Sequence, residues 1–409
     1  MPYKTSYCSE KEDKIVELAE RLTVRQGIPL ALSVSDAAIL PRKAGRDISS
    51  SNIPYQGLGG VVDKDGNFIE QSVIYDLINT PDQKKLYAFG GGYPIKHIES
   101  SDKTAIYMGL AHKHWGHFLI DIVQRLWYPM TNGLLGKHIA EDVIFAFAGF
   151  DDGSKAFDGN YLEFFRLIGL DTDRIVFVNQ PTQFKKVIVP DVAVWPGEFM
   201  YPVYKDIFSV VTENGMREAA DSMSGRKVDK IYFSRRHISG QREMGEEAIE
   251  RLMVRCGFTV MYPEELSLLE QIFYWQTAGE IACMQGTIPH NCVFARKDLK
   301  LYIFNKMERL VGFQFTMDAV WGNTPIYVLA YKEPFKRYPL TVYRGPFWIT
   351  VTDHVSRFVK DYFGVDEKGK DSPVDWCKYI LLCALAEIKY QQRGSKAKLK
   401  KVIRKLKGE

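Results

Sequence analysis

The chain of 409 residues is longer than the ~250 to 300 at which a single hydrophobic core stops growing, so more than one folding unit is expected. Hydrophobic content of 46%, charged content of 25% and aromatic content of 13% exclude disorder as the main state, and six scattered cysteines with no C-x-x-C pair exclude a zinc ribbon or a secreted disulfide scaffold. Residues 393–409 hold eight Lys/Arg against one Glu, which leaves residues 1–392 at −3 of the net +4 and disfavours a nucleic-acid-binding body.

Along the chain, MPYKTSYCSEKEDK is polar where a secretory signal needs an apolar stretch, and a cytoplasmic protein with free thiols is expected. Ser9 with Glu12 forms a capping box ahead of Ile15, Leu18 and Leu22, predicting an N-terminal amphipathic helix that stops at Gly27. Residues 42–60 read as an extended or loop-like stretch, and Asp65-Gly66 as a hairpin turn. Asp63, Asp65 and Asn67 imitate a calcium loop, but Phe68 takes the place of the required Gly and the twelfth position lacks Glu.

From Val143 the chain alternates short apolar runs with helical stretches. Strands are predicted at 143–147, 174–178 and 186–189, with a helix at 161–168. Residues 230–305 form the clearest unit, with strands at 230–234, 258–262, 280–284 and 301–304. A helix bearing Ile249, Leu252, Met253 and Cys256 and a second one capped by Ser267 and Glu270 lie between them. That is a Rossmann-like βαβαβ order. Residues 197–225 read as a partly helical connection. The expected division is an N-terminal α/β domain over 1–205, a Rossmann-like domain over 206–335 and a C-terminal helical extension with a basic tail over 336–409.

Three polar constellations carry the candidate chemistry. His112 to Arg125 holds three of the eight histidines, and on a regular helix His114, His117, Asp121 and Arg125 would share one face. An imidazole with a carboxylate one turn away is a general-base arrangement; a hydrogen-bonded structural cluster and a metal site remain open. Ser234-Arg235-Arg236-His237 follows an apolar strand, where guanidinium forks suit a diphosphate. Gln285-Gly286-Thr287 to Asn291 follows another, as a Gly-led turn that can offer N–H groups to an anion. There is no GxGxxG or P-loop, which leaves a dinucleotide or P-loop enzyme unsupported, and Asp171-Thr-Asp173, the Asp-x-Asp that a metal-dependent sugar transferase would want, reads as a turn.

Four stretches together resemble glycosyltransferase family 61. They are His114-Trp-Gly-His-Phe-Leu-Ile-Asp121 with Arg125-Leu-Trp127, Asp173 to Phe177 with Lys186 to Pro190, Ile231-Tyr-Phe-Ser-Arg-Arg236, and Gly257-Phe258 with Tyr262 to Gln271. The resemblance implies an α/β GT-B type fold, with two Rossmann-like domains facing a cleft and C-terminal helices. It implies inverting, metal-independent transfer from a nucleotide-diphosphate sugar, expected UDP-linked, and in bacteria a role in surface or capsular polysaccharide synthesis. Family members carry a Pro-His-Gly where this chain has Met284-Gln285-Gly286, so Gln285 would hydrogen-bond the donor in place of that His.

The expected catalytic residues are His117, Asp121 and His114, with Glu198 the first alternative base. Donor contacts are expected from Arg235, Arg236, Gln285, Gly286, Thr287 and Asn291, with no further cofactor. The acceptor is expected to be a glycan or a lipid-linked one. The basic tail, with Leu399, Val402, Ile403 and Leu406 at helical spacing, would dock on an anionic membrane surface at the inner face of the cell membrane. The competing reading is a non-catalytic nucleotide- or carbohydrate-binding scaffold of a polysaccharide assembly.

Overall fold

The structure, a computed structural model, describes residues 7, 20–43, 58–75, 86–87, 93–149, 157–238, 242–307, 312–335, 338–339, 345–369 and 371–406. It is a mixed α/β protein with several sheets and about ten helices. The N-terminal helix expected from Ser9 to the stop at Gly27 lies outside the described residues up to residue 19; beyond residue 20 the chain is not helical, and Thr23–Val24 instead forms a short strand paired with Phe199–Met200.

The first large sheet has seven strands. Thr182–Pro190, Glu99–Leu110, Val143–Ala148 and Ile175–Val178 run parallel in that spatial order, and Ala31–Ser35, Ala38–Lys43 and Leu58–Val62 extend it antiparallel. Side chains alternate between its faces. Ile106, Met108, Phe145 and Phe147 enter the large central core, while Ala105, Tyr107, Ala146 and Ala148 form a smaller one behind. The Asp65-Gly66 turn forms as expected. Gly66 has φ +82, and the Asp63 carboxylate accepts from the N–H groups of Asp65 and Asn67, so the acidic cluster builds a turn.

The second sheet has five strands, all parallel, in the order Thr259–Met261, Lys230–Phe233, Glu280–Met284, Lys300–Asn305, Ile326–Leu329. Both faces are covered, so its strands read as apolar runs. Ile231, Phe233, Ile281 and Cys283 face the central core beside the helices Leu268–Thr277 and Gly312–Trp321. Tyr232, Ala282, Tyr302 and Phe304 face the helices Glu246–Arg255 and Asp353–Phe363. The Ser267/Glu270 capping box is present in full.

The expected boundary at 205/206 falls inside the helix Pro202–Ser222. Its buried Val203, Tyr204, Ile207, Phe208, Val211, Gly215 and Ala219 recur every three or four residues. The helix packs on Asn160–Ile168 and on Leu268–Thr277, so it belongs to the core shared by both sheets. Nor is the segment after 335 purely an appendage. Phe347–Ile349 and Asp353–Phe363 supply the outer layer of the second sheet, and Tyr7 joins them, its hydroxyl donating to Asp361 at 2.9 Å. The last helix, Pro373–Leu406, packs Tyr379 and Cys383 against Tyr338 and Trp348.

Candidate functional site

In the second sheet the chain leaves strands Lys230–Phe233 and Glu280–Met284 at their carboxyl ends, side by side, where the strand order reverses. That reversal opens a crevice in a parallel sheet. Arg235 leaves the first strand and Gln285-Gly286 the second. Gly286 has φ +150, and a Cβ there would sit 3.1 Å from Arg235 Nη1, so glycine lets the guanidinium lie across the turn.

Arg235 is held from below. Its Nε lies 3.3 Å from Glu243 Oε1, and its backbone N–H donates to Glu246 Oε1 at 3.0 Å. Lys306, at the end of the neighbouring strand, donates to the same Glu243 oxygen at 2.8 Å, both side chains being 5% exposed. Burial works to raise the Glu243 carboxyl, but Lys306 and Arg235 overcome it and hold the group down at about 2. Burial lifts Glu246 to about 7, against the N–H of Arg235.

The other expected donor contacts divide. Arg236 turns away to the helix Glu246–Arg255, with Nη1 2.6 Å from Glu250 and Nη2 3.2 Å from Glu247. Gln285 is buried, and its side-chain carbonyl accepts from the backbone N–H of Lys306 at 3.2 Å, tying two strand ends together. The Asn291 amide bridges Gln271 Oε1 at 3.0 Å and Trp115 Nε1 at 2.7 Å. Thr287 is half-buried at the start of the turn Ile288–Phe294. At the same edge His237 stacks on Tyr262 with ring centres 3.5 Å apart.

The histidine cluster leaves the carboxyl end of Glu99–Leu110 in the first sheet. A bulge between Tyr107 and Gly109, with φ +99 at Gly109, re-aims the strand end. His114 caps a short turn, Trp115–His117. The backbone then widens into a π-turn over Phe118–Ile122 and tightens into a 3-10 turn over Val123–Arg125. The regular helix face expected from spacing therefore breaks. Arg125 is fully buried and donates to the carbonyls of Pro190, Gln71 and Val73, a clamp on the sheet.

His117 and Asp121 do meet, with Nδ1 2.6 Å from Oδ2 and side chains 17% and 13% exposed. His112 and His114 lie beside them, the His114 ring 4.8 Å from that of His117, and Phe313 closes the other side at 5.6 Å. Loss of water around the cluster pulls His114 down to about 4, helped by the charges of His117 and Arg235. His114 nevertheless remains an exposed residue of the cluster.

The two constellations face each other. The Trp115–Asn291 hydrogen bond joins them, and a Cβ on Gly116 would meet His290 Nδ1 at 3.1 Å and the Thr287 methyl at 3.2 Å. His290 is the residue that spacing missed. It is 3% exposed, neither ring nitrogen has a hydrogen-bond partner among the described residues, and burial pulls its imidazole down to about 3. Lys306 and Glu243 were equally unsignalled, although Lys306 follows its strand as Arg235 and Gln285 follow theirs.

Glu198 sits in the turn between Val194–Trp195 and Phe199–Met200. Asp171 caps a turn through the N–H of Asp173 and pairs with Arg174 at 3.3 Å. Among the described residues no three His, Cys, Asp or Glu side chains form a group that could hold a metal ion.

Residues 115–302 match the family model described as Glycosyltransferase 61. No curated protein matches the chain.

Proposed function

We propose that this chain, which belongs to the glycosyltransferase 61 family through residues 115–302, is an inverting, metal-independent transferase that moves a sugar from a nucleotide diphosphate to an acceptor hydroxyl. The arrangement proposed is of GT-B type, with the donor on the second sheet and the acceptor approaching from the first. The observation that carries the reading is the junction of the His117–Asp121 pair with the Arg235–Gly286 crevice through Trp115 and Asn291.

In the proposed step the acceptor oxygen attacks the anomeric carbon as the bond from that carbon to the diphosphate oxygen breaks, which inverts the centre. Nδ1–H of His117 donates to Asp121, which leaves Nε2 to take the hydroxyl proton. Arg235, steadied by Glu243, meets the negative charge growing on the leaving diphosphate. The His237–Tyr262 stack offers a flat face to a nucleobase, in keeping with a UDP-linked donor.

The acceptor proposed is a glycan or a lipid-linked one in surface polysaccharide assembly, with the protein peripheral on the inner face of the membrane through its basic tail. A non-catalytic nucleotide-binding scaffold is favoured by one observation. Gln285, at the position of the family's His, has its side-chain carbonyl committed to the Lys306 backbone.

The test is transfer and donor hydrolysis with a panel of nucleotide sugars, beside calorimetry with the free nucleotide diphosphates. Turnover with any donor supports the enzyme, and binding without turnover supports the scaffold. Arg235→Ala should weaken binding by roughly 1.5 to 3 kcal/mol, the range for a hydrogen bond to a charged group. Unchanged affinity would remove Arg235 from the donor site.

A further inference from the structure

The helix Pro373–Leu406 is continuous over 34 residues, about 50 Å at 1.5 Å per residue. Its inward side is spent on Trp376, Tyr379, Cys383 and Ala386, which pack on Tyr338 and Trp348. The opposite side is apolar as well, and bare. Val374 is 62% exposed, Leu381 59%, Leu385 44% and Ile388 51%, and Cys377 between them is exposed too. At 100° per residue these five fall within about 40° of one line. No helix among the described residues is long and apolar enough to cross a membrane.

The same helical period, carried on through the unbroken backbone, brings positions 399, 402, 403 and 406 back to within about 60° of that line. In sequence these are Leu, Val, Ile and Leu. The tail's apolar positions and the bare face of the first half are therefore one stripe, interrupted only at 378, 392, 395 and 396. Positions 398, 400, 401, 404 and 405, all Lys or Arg in sequence, fall outside it.

We propose that this whole helix, and not the tail alone, lies flat on an anionic lipid surface, with the stripe from Val374 to Leu406 turned into the acyl boundary. The inference rests on the peripheral docking in the proposed function and assigns it to a face. Charge decides the occupant. A net +7 over residues 393–409 complements anionic headgroups, whereas a second copy laid parallel would bring +7 against +7. An antiparallel copy gains no complement, because residues 373–392 carry Asp375, Lys378, Glu387 and Lys389, a net of zero.

The experiment is flotation of the full chain with equimolar phosphatidylglycerol–phosphatidylcholine vesicles and with phosphatidylcholine alone. It reads lipid binding and not sugar transfer, so its failure is separable from failure of the enzymatic reading. Binding to the anionic vesicles that weakens in high salt is expected, and L381E/L385E should lower it at least ~10-fold with the basic tail intact. The neutral pair Leu381→Gln and Leu385→Gln, with helical content followed by circular dichroism, guards against a loss that reflects unfolding. Three results overturn the proposal: no binding of the unaltered chain, equal binding by both variants, or a lipid-free dimer that the variants split.

Discussion

His117 lies 2.6 Å from Asp121 at the start of a widened turn, an i,i+4 spacing that keeps the two side chains neighbours as a helical turn does. His117→Ala is expected to lower turnover by ~10² to 10⁴ with donor affinity intact, and Asp121→Asn to lower it less, since it leaves the ring present but free to choose its tautomer. Steady-state kinetics beside calorimetry checks this. Near-normal turnover in both variants, with lowered stability, would make the pair structural. His290 yields a pH prediction. Its folded pKa, about 3, lies below the ordinary 6.5, so between those values the unfolded chain binds a proton that the folded one does not. Stability from this residue is complete above pH 6.5 and is lost as pH falls, with a slope of about 1.4 kcal/mol per pH unit. Glu246, raised from 4.5 to about 7, has the opposite sign: its contribution is complete below pH 4.5 and is lost as pH rises through 7. Denaturant unfolding of His290→Asn between pH 7 and 4 should show a flatter acid limb than the parent. An unchanged limb would contradict the assignment.

Among the elements, the helix Pro202–Ser222 owes its close approach to Leu268–Thr277 to Gly215, where a Cβ would come within 2.8 Å of Ile272 Cδ1. Gly215→Val should destabilise the protein by roughly 1 to 3 kcal/mol through overpacking, read as a lower denaturation midpoint with an unchanged slope. A midpoint equal to the parent's would mean that the contact relaxes freely. Strands were the legible part of the sequence. The apolar runs at 230–233, 280–284 and 300–305 are buried on both faces, and the Ser267/Glu270 cap is a local rule. The π-turn at Phe118–Ile122 had no such signature. The sequence continues an ordinary helical spacing through it, and the long-range clamp of Arg125 on the carbonyls of Pro190, Gln71 and Val73, just after the widened turn, has no local signature either.

For the molecule as a whole, phosphate charge in the proposed transfer is met by Arg235 and by backbone N–H groups at the strand ends of the second sheet, so activity should survive chelation by EDTA. Loss of activity restored by manganese or magnesium would overturn the metal-free mechanism. The amino-acid sequence alone determined the local alternation of strands and helices, the three polar constellations and the family resemblance, because hydrophobic period, caps and motif spacing act over a few residues. Tertiary structure decided which of those groups meet. Trp115 reaches Asn291 across 176 positions, Lys306 reaches Glu243 across 63, and Arg236 leaves the crevice for Glu247 and Glu250. It also decided that Tyr7 and Asp353–Phe363 complete the second sheet's outer layer. Long-range contacts of this kind depend on how whole faces pack, a constraint with no period along the chain to read.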